Sequence, residues 1–415
     1  MQVVTEPLPR PTPKFTVLLG WSFVLLLSLF FLNAKGTLDV KALLIWDGFL
    51  TREGITAGYE HSGTDYPPFS LVLVHWAEQA GSAISLPSIL ALKWSIFVFL
   101  LATSLTVYGY TRSLLVAGVL QLGLLVNSVA QGYIDVYFAP FLVLALWGIR
   151  HGWLPWVVGW FTVACLIKWQ VAVLGPFVGL LLIKTCAVEN PFDWRRLGTS
   201  LLPAVAIVGG TFMLFGGAVV QSLFYALTKS TYLSGNALNF NWIFTYLLHQ
   251  WDPTTYGPLV KGQVSIIMTE SAVVTLVPRL MFAALYLFSL VRYWRARIEV
   301  ESFLVYASFG YLAYFEFNPG VHENHLFPAC ILLALLCQRG SIWNTQFAIW
   351  LVLLNTNLLM FYGIDGRGLP FSVVLSGVDL TVITAGLSIA AFLQFGRLVV
   401  AQAQVQQASN RQISR

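Results

Sequence analysis

Four side chains in this 415-residue chain have the types that group-transfer chemistry uses: Asp39, Lys168, His322 and His325. A carboxylate in place beside a hydroxyl can accept its proton. An ammonium can neutralise a phosphate. Lys168 closes an apolar run, where it either contacts a phosphate or extends its charge to the interface along an apolar stem. His322 and His325 stand three apart after the turn Asn318-Pro319-Gly320, so a helix there carries both on one face. The helix start adds free N–H groups and partial positive charge, a setting for an anion. Two histidines with Glu323 are also zinc-ligand types, but a closed site needs a further ligand that the sequence does not place. No DxD string is present, and the sequence requires no cofactor or divalent metal.

Asp39 lies in the first long polar interruption, 39–68, with Asp47, Glu53, Glu60 and Asp65. On a helix Asp39 shares a face with Leu43 and Trp46, at i+4 and i+7. Asp39 also suits a helix N-cap, and the two roles are compatible. Asp47 is about 80° away around the helix and is the weaker base. Asp65-Tyr66-Pro67-Pro68 combines a turn with a helix start, because proline is welcome in the first helical turn. Gln131 and Asp135 open a later apolar segment, where Asp135 caps the helix or orients Lys168 or an acceptor. Glu316 has no assigned role, and Arg279 contacts anionic lipid or the interface.

The elements that must hold these residues are membrane helices. The chain is 57% hydrophobic and 10% charged, where soluble domains carry about a quarter charged residues. The net charge of +5 is not a nucleic-acid signature, since the basic residues fall in short loops. The four cysteines have no metal or CxxC spacing and are expected to pack. No nucleotide-binding fingerprint appears, so a transfer donor must be reached from the membrane.

The pattern predicts an all-α polytopic fold with about twelve spans: roughly 15–33, 88–110, 114–129, 133–149, 152–167, 169–185, 198–217, 271–292, 301–317, 324–338, 341–361 and 376–396. The segments 69–79 and 239–249 are too short to cross and are expected as interfacial or re-entrant helices. The whole chain forms one transmembrane domain, with a first outer loop at 34–87, a long outer loop at 218–270 and a cytoplasmic tail at 397–415. Arg195 and Arg196, and Arg292, Arg295 and Arg297, anchor the inner face under the positive-inside rule, as do Arg10, Lys14 and Arg415. Both termini are then cytoplasmic. The 39–68 stretch, 131–135, 168–170 and 318–325 all fall on the outer face. Short loops favour a bacterial plasma membrane.

A resemblance joins these strings. Asp39, six residues and Trp46, followed by Asp65-Tyr66-Pro67-Pro68, is similar to the first luminal loop of the dolichyl-phosphate-glucose glucosyltransferases of asparagine-linked glycosylation. It also resembles bacterial polyprenyl-phosphate-sugar mannosyltransferase-like proteins of the GT-C class, including relatives of the GPI-anchor mannosyltransferases. Those relatives carry strings like Gln131-Gly132-Tyr133-Ile134-Asp135, Lys168-Trp169-Gln170 before Pro176, the segment from Asn236 through Asn239 to Trp242, and Val321-His322-Glu323-Asn324-His325. The matches run in order over 39–325, with an additional Asn at 241 that departs from the usual pattern.

The resemblance implies an inverting hexosyltransferase of GT-C-like fold with Asp39 as base. Its donor is a polyprenyl-phosphate sugar, with mannose and glucose both compatible. Its acceptor is a lipid-linked or other glycan hydroxyl. Lys168, His322 and His325 are the expected contacts to the donor phosphate. Trp46, Asp65, Tyr66, Gln131, Asp135, Gln170, Asn236, Asn239, Trp242 and Glu323 are the expected lining residues. A lipid transporter or flippase is the alternative. It predicts polar groups at mid-membrane, whereas these cluster at one face.

Overall fold

The computed structural model describes residues 15–188, 191–228, 232–268 and 272–413, so Arg10, Lys14 and Arg415 lie outside the described residues. The chain is an all-α membrane protein. Its strands are two-residue ladders: Ser234–Gly235 runs parallel to Val321–His322, and Val374–Leu375 pairs antiparallel with Val378–Asp379. Among the described residues, 8 helices are long and apolar enough to cross a membrane. They are Phe15–Asn33, Ser88–Thr111, Ile134–His151, Trp169–Cys186, Trp194–Phe215, Ala272–Arg295, Ser341–Tyr362 and Leu380–Gln402. A helix satisfies its own backbone polar groups, which the bilayer core demands.

The other four expected spans are helical but do not meet those criteria. Leu114–Leu125 ends in a π turn, and Leu154–Ile167 has 14 residues. Val300–Phe317 and Phe327–Leu336 are almost wholly buried within the protein. The short segments expected near 69–79 and 239–249 are the helices Pro68–Ala83 and Phe240–Trp251. Two stretches expected as a loop and a tail contain helix. The long loop at 218–270 contains further helices, including Ala218–Thr228. The tail expected from 397 continues the helix Leu380–Ile413, because its glutamine- and alanine-rich sequence contains no breaker.

The chain forms two compact units, 1–169 with 193–225 and 364–366, and 170–192 with 226–363 and 367–415. In the first unit, Leu38–Glu53 folds back through Gly54 onto Ile55–Ser62. Pro67 is extended and Pro68 opens the helix Pro68–Ala83. Leu50, Tyr59, Leu71, Phe215 and Val219 form a buried cluster, with Trp46, Tyr66 and Trp169 packed against it. The Tyr59 hydroxyl bridges the Tyr66 carbonyl at 2.9 Å and Ser222 Oγ at 2.8 Å, which ties the turn to that core.

In the second unit Val300–Phe317 packs against Ala272–Arg295, Phe327–Leu336 and Leu380–Ile413. The Lys184 ammonium donates to the carbonyls of Tyr293 and Ala296, each at 2.7 Å. It thereby satisfies acceptors that the end of Ala272–Arg295 leaves open.

Candidate active site

Asp39 is the second residue of Leu38–Glu53, half-buried in its first turn. Thr37 holds the N-cap position with extended backbone, and its side chain makes no capping bond. The cap role considered for Asp39 therefore gives way to Thr37, while its negative charge still complements the helix dipole. The Thr37 amide donates to the Gln131 carbonyl at 2.8 Å, and the Gly36 amide to the Asp365 carbonyl at 3.0 Å. Gly366 is required at this staple: its φ is +87°, and a Cβ there would collide with the backbone of Gly36. Gln131 is buried and contributes its main chain, fixing where the Asp39 helix starts.

The Asp39 face leads to Tyr66. Leu43 is buried on it, and the half-buried Trp46 ring lies 5.9 Å from the Tyr66 ring. Lys168 Nζ sits 4.5 Å over the Tyr66 ring, 3.3 Å from its hydroxyl and 2.9 Å from Asp135 Oδ1. Local folding places both charges. Lys168 is the extended C-cap of Leu154–Ile167, the end that favours a cation. Asp135 lies in the first turn of Ile134–Phe138, the end that favours an anion. Burial pushes the Tyr66 phenol well above its ordinary pKa; the Lys168 ammonium opposes this, and the carboxylates of Asp135, Asp39 and Asp65 add to it. Seven predicted residues (Asp39, Trp46, Asp65, Tyr66, Gln131, Asp135 and Lys168) thus belong to this unit, and the charged ones act on one phenol.

The remaining seven belong to the second unit. His322 and His325 belong to a reciprocal capping box around the turn Glu323–Leu326. The His322 amide donates to His325 Nδ1 at 3.3 Å. An acceptor Nδ1 means the ring carries its proton on Nε2, which lies 3.0 Å from the Gln170 amide group. Gln170 must then present its carbonyl oxygen there. Tyr314 stacks on His325, and Tyr232 hydrogen-bonds His322 Nε2. The His325 ring is thus held by contacts within the protein at both nitrogens. Glu323 is buried, 3.8 Å from His322 Nδ1.

Asn236, Asn239 and Trp242 hold the loop that carries them. Asn236 takes a left-handed turn, with its carbonyl accepting from Asn357 at 2.6 Å. Asn239 caps Phe240–Trp251 by accepting the Trp242 amide and donates to the Phe315 carbonyl at 2.6 Å. Trp242 is buried, with its indole N–H on Thr381.

Sequence reasoning missed a buried acid–base pair. His75 Nδ1 lies 2.8 Å from Asp47 Oδ1, joining Leu38–Glu53 to Pro68–Ala83. Burial pushes the neighbouring Glu78 carboxyl up, and the Asp47 carboxylate adds to the rise. Lys93 was also missed: it is fully buried and donates to the carbonyls of Val129 and Ala130 at 2.5 and 2.6 Å. The only signal in the sequence was a charge inside an apolar run.

Chemically, the first unit combines a half-buried carboxylate, a buried ammonium and a phenol, enough for proton abstraction beside a stabilised anion. Among the described residues no three His, Cys, Asp or Glu side chains group as metal ligands. No protein-family model matches this chain, and no curated protein matches it.

Proposed function

We propose that the protein is an inverting hexosyltransferase that moves mannose or glucose from a polyprenyl-phosphate sugar to a hydroxyl of a lipid-linked or other glycan acceptor. Asp39 is the general base. It takes the acceptor proton as the acceptor oxygen attacks the anomeric carbon and the bond to the phosphate oxygen breaks. The leaving phosphate is already a stable anion and gains from nearby positive charge rather than from an acid. Asp135 and Tyr66 occupy two of the three donor positions of Lys168, and the third is assigned to the donor phosphate.

The observation that supports this reading is that Lys168 Nζ lies 2.9 Å from Asp135 Oδ1 and 3.3 Å from the hydroxyl of Tyr66, whose ring lies 5.9 Å from Trp46 on the Asp39 helix. A cap or an interfacial lysine explains each residue singly, but not their joint placement. The reading includes twelve spans in a bacterial plasma membrane, both termini cytoplasmic and the Asp39 loop on the outer face. Charge distribution supports that orientation.

The test is transfer of radiolabelled sugar from a short-chain polyprenyl-phosphate sugar by the purified full-length protein. Product formation that disappears in Asp39→Asn supports the proposal, and normal transfer by that variant overturns the base assignment. Movement of the headgroup across liposomes without any transfer product would favour a flippase instead.

A further inference from the structure

The helix that carries Asp39 has a second, opposite face. Thr37, Lys41 and Leu44 recur at i, i+4 and i+7, about 160° around the helix from Asp39. With Lys35, Val40 and Ile45 they line a groove of about 750 Å³. Its remaining walls are Leu32 and Asn33, which end the helical span Phe15–Asn33, and Pro87, Ile89 and Leu90, around the start of Ser88–Thr111. The groove therefore lies where two consecutive membrane helices meet the polar connection between them, at headgroup depth.

Its chemistry is two-part. The walls are aliphatic, while Lys35 and Lys41 are both exposed. Among the described residues neither lysine forms an ion pair. Thr37 is only 7% exposed, and its Oγ1 has no hydrogen-bond partner. As the N-cap it also stands at the positive end of a 16-residue helix. A buried hydroxyl without a partner at a helix start, beside two unpaired lysines and an apolar trough, matches a phosphate with a hydrocarbon tail.

We infer that this groove binds the phosphodiester headgroup and part of one acyl chain of an anionic bilayer phospholipid. Exposed lysines at the mouth suit a headgroup that stays in the interfacial layer. The buried Lys168, already paired with Asp135, represents the other kind of phosphate contact. The bound lipid packs against the groove face of the helix whose opposite face carries Asp39, and so steadies that helix. The lipid site stands independently of the proposed transfer reaction.

The experiment is native mass spectrometry of the full-length protein released from mixed micelles containing equimolar phosphatidylglycerol and phosphatidylcholine. One phosphatidylglycerol is expected to be retained preferentially. Each lysine contributes about fivefold to that preference, so Lys35→Gln with Lys41→Gln removes it, while Lys35→Arg with Lys41→Arg keeps it. Thr37→Val lowers retention with the lysines intact. Equal retention of the two lipids by the unmodified protein overturns the site without recourse to any variant. So does unchanged phosphatidylglycerol retention by the double glutamine variant. Displacement of phosphatidylglycerol by equimolar farnesyl phosphate would assign the groove to an isoprenoid phosphate and overturn the phospholipid assignment. None of these readouts uses transfer activity, and Asp39→Asn is expected to retain the lipid as the unmodified protein does.

Discussion

Lys168 Nζ and Asp135 Oδ1 lie 2.9 Å apart with both side chains almost fully withdrawn from solvent. Taking two charges into the interior is costly, and removing one partner strands the other. Lys168→Met is therefore expected to destabilise the protein by about 3–5 kcal/mol. The double substitution Lys168→Met with Asp135→Leu should recover most of that loss. Thermal unfolding in detergent, run as a double-mutant cycle, reads the coupling. Equal melting of Lys168→Met and the unmodified protein would show that the pair is not buried as described.

Asp39 separates chemistry from stability. It is half-buried and is not the helix cap, so Asp39→Asn loses only a charge–dipole term of roughly 0.3–1 kcal/mol. Loss of a general base should cost about 10²- to 10⁴-fold in transfer rate. A near-normal melting curve with a deep loss of transfer is the expected combination. A large drop in melting temperature would make Asp39 structural instead.

The staple between Gly36 and Gly366 should tolerate no side chain. Gly366→Ala combines a left-handed backbone, which costs an L-residue about 1–2 kcal/mol, with a collision against Gly36. Gly20→Ala, in a helix with nothing within 4 Å, is the matched control and should be neutral or slightly stabilising. Protease susceptibility of the 34–37 connection is expected to rise only in the first variant.

The His325 ring offers a spectroscopic check. Nδ1 accepts the His322 amide, so nitrogen-15 spectra should show the tautomer protonated at Nε2. Gln170→Leu removes the acceptor from Nε2 and should shift that nitrogen while leaving Nδ1 in place. A spectrum showing the Nδ1-protonated tautomer would reverse the capping assignment.

The helical class and the positions of the long apolar segments were legible because a span needs about 20 apolar residues and leaves an unbroken run. The grouping of Asp39 with Lys168 came from the topology count and the ordered strings, not from any local pattern. Asp47 was set aside because helix geometry alone turned it away from Asp39. Its partner, His75, lies on another helix, and no periodicity in either segment reports that pairing. Asn239 and Trp242 carry structural contacts that no local pattern announces. Polar and aromatic residues in a loop suggest a lining, yet here they cap a helix and fill a core. Val300–Phe317, enclosed by other helices, carries Glu301, Glu316 and several hydroxyl side chains, whereas Phe327–Leu336 is apolar throughout but has 10 residues, too few to cross.

The contact of residues 364–366 with Gly36 has a consequence for how the chain is made. These three residues belong to the first unit, yet they emerge from the ribosome long after the Asp39 helix. At roughly 5–20 residues per second, tens of seconds separate the two events. Until then the entry to that helix is held by the Thr37 amide on the Gln131 carbonyl, without the bond from Gly36 to Asp365. A nascent chain therefore carries the Asp39 helix without this latch, and a fragment ending before 364 would remain in that state.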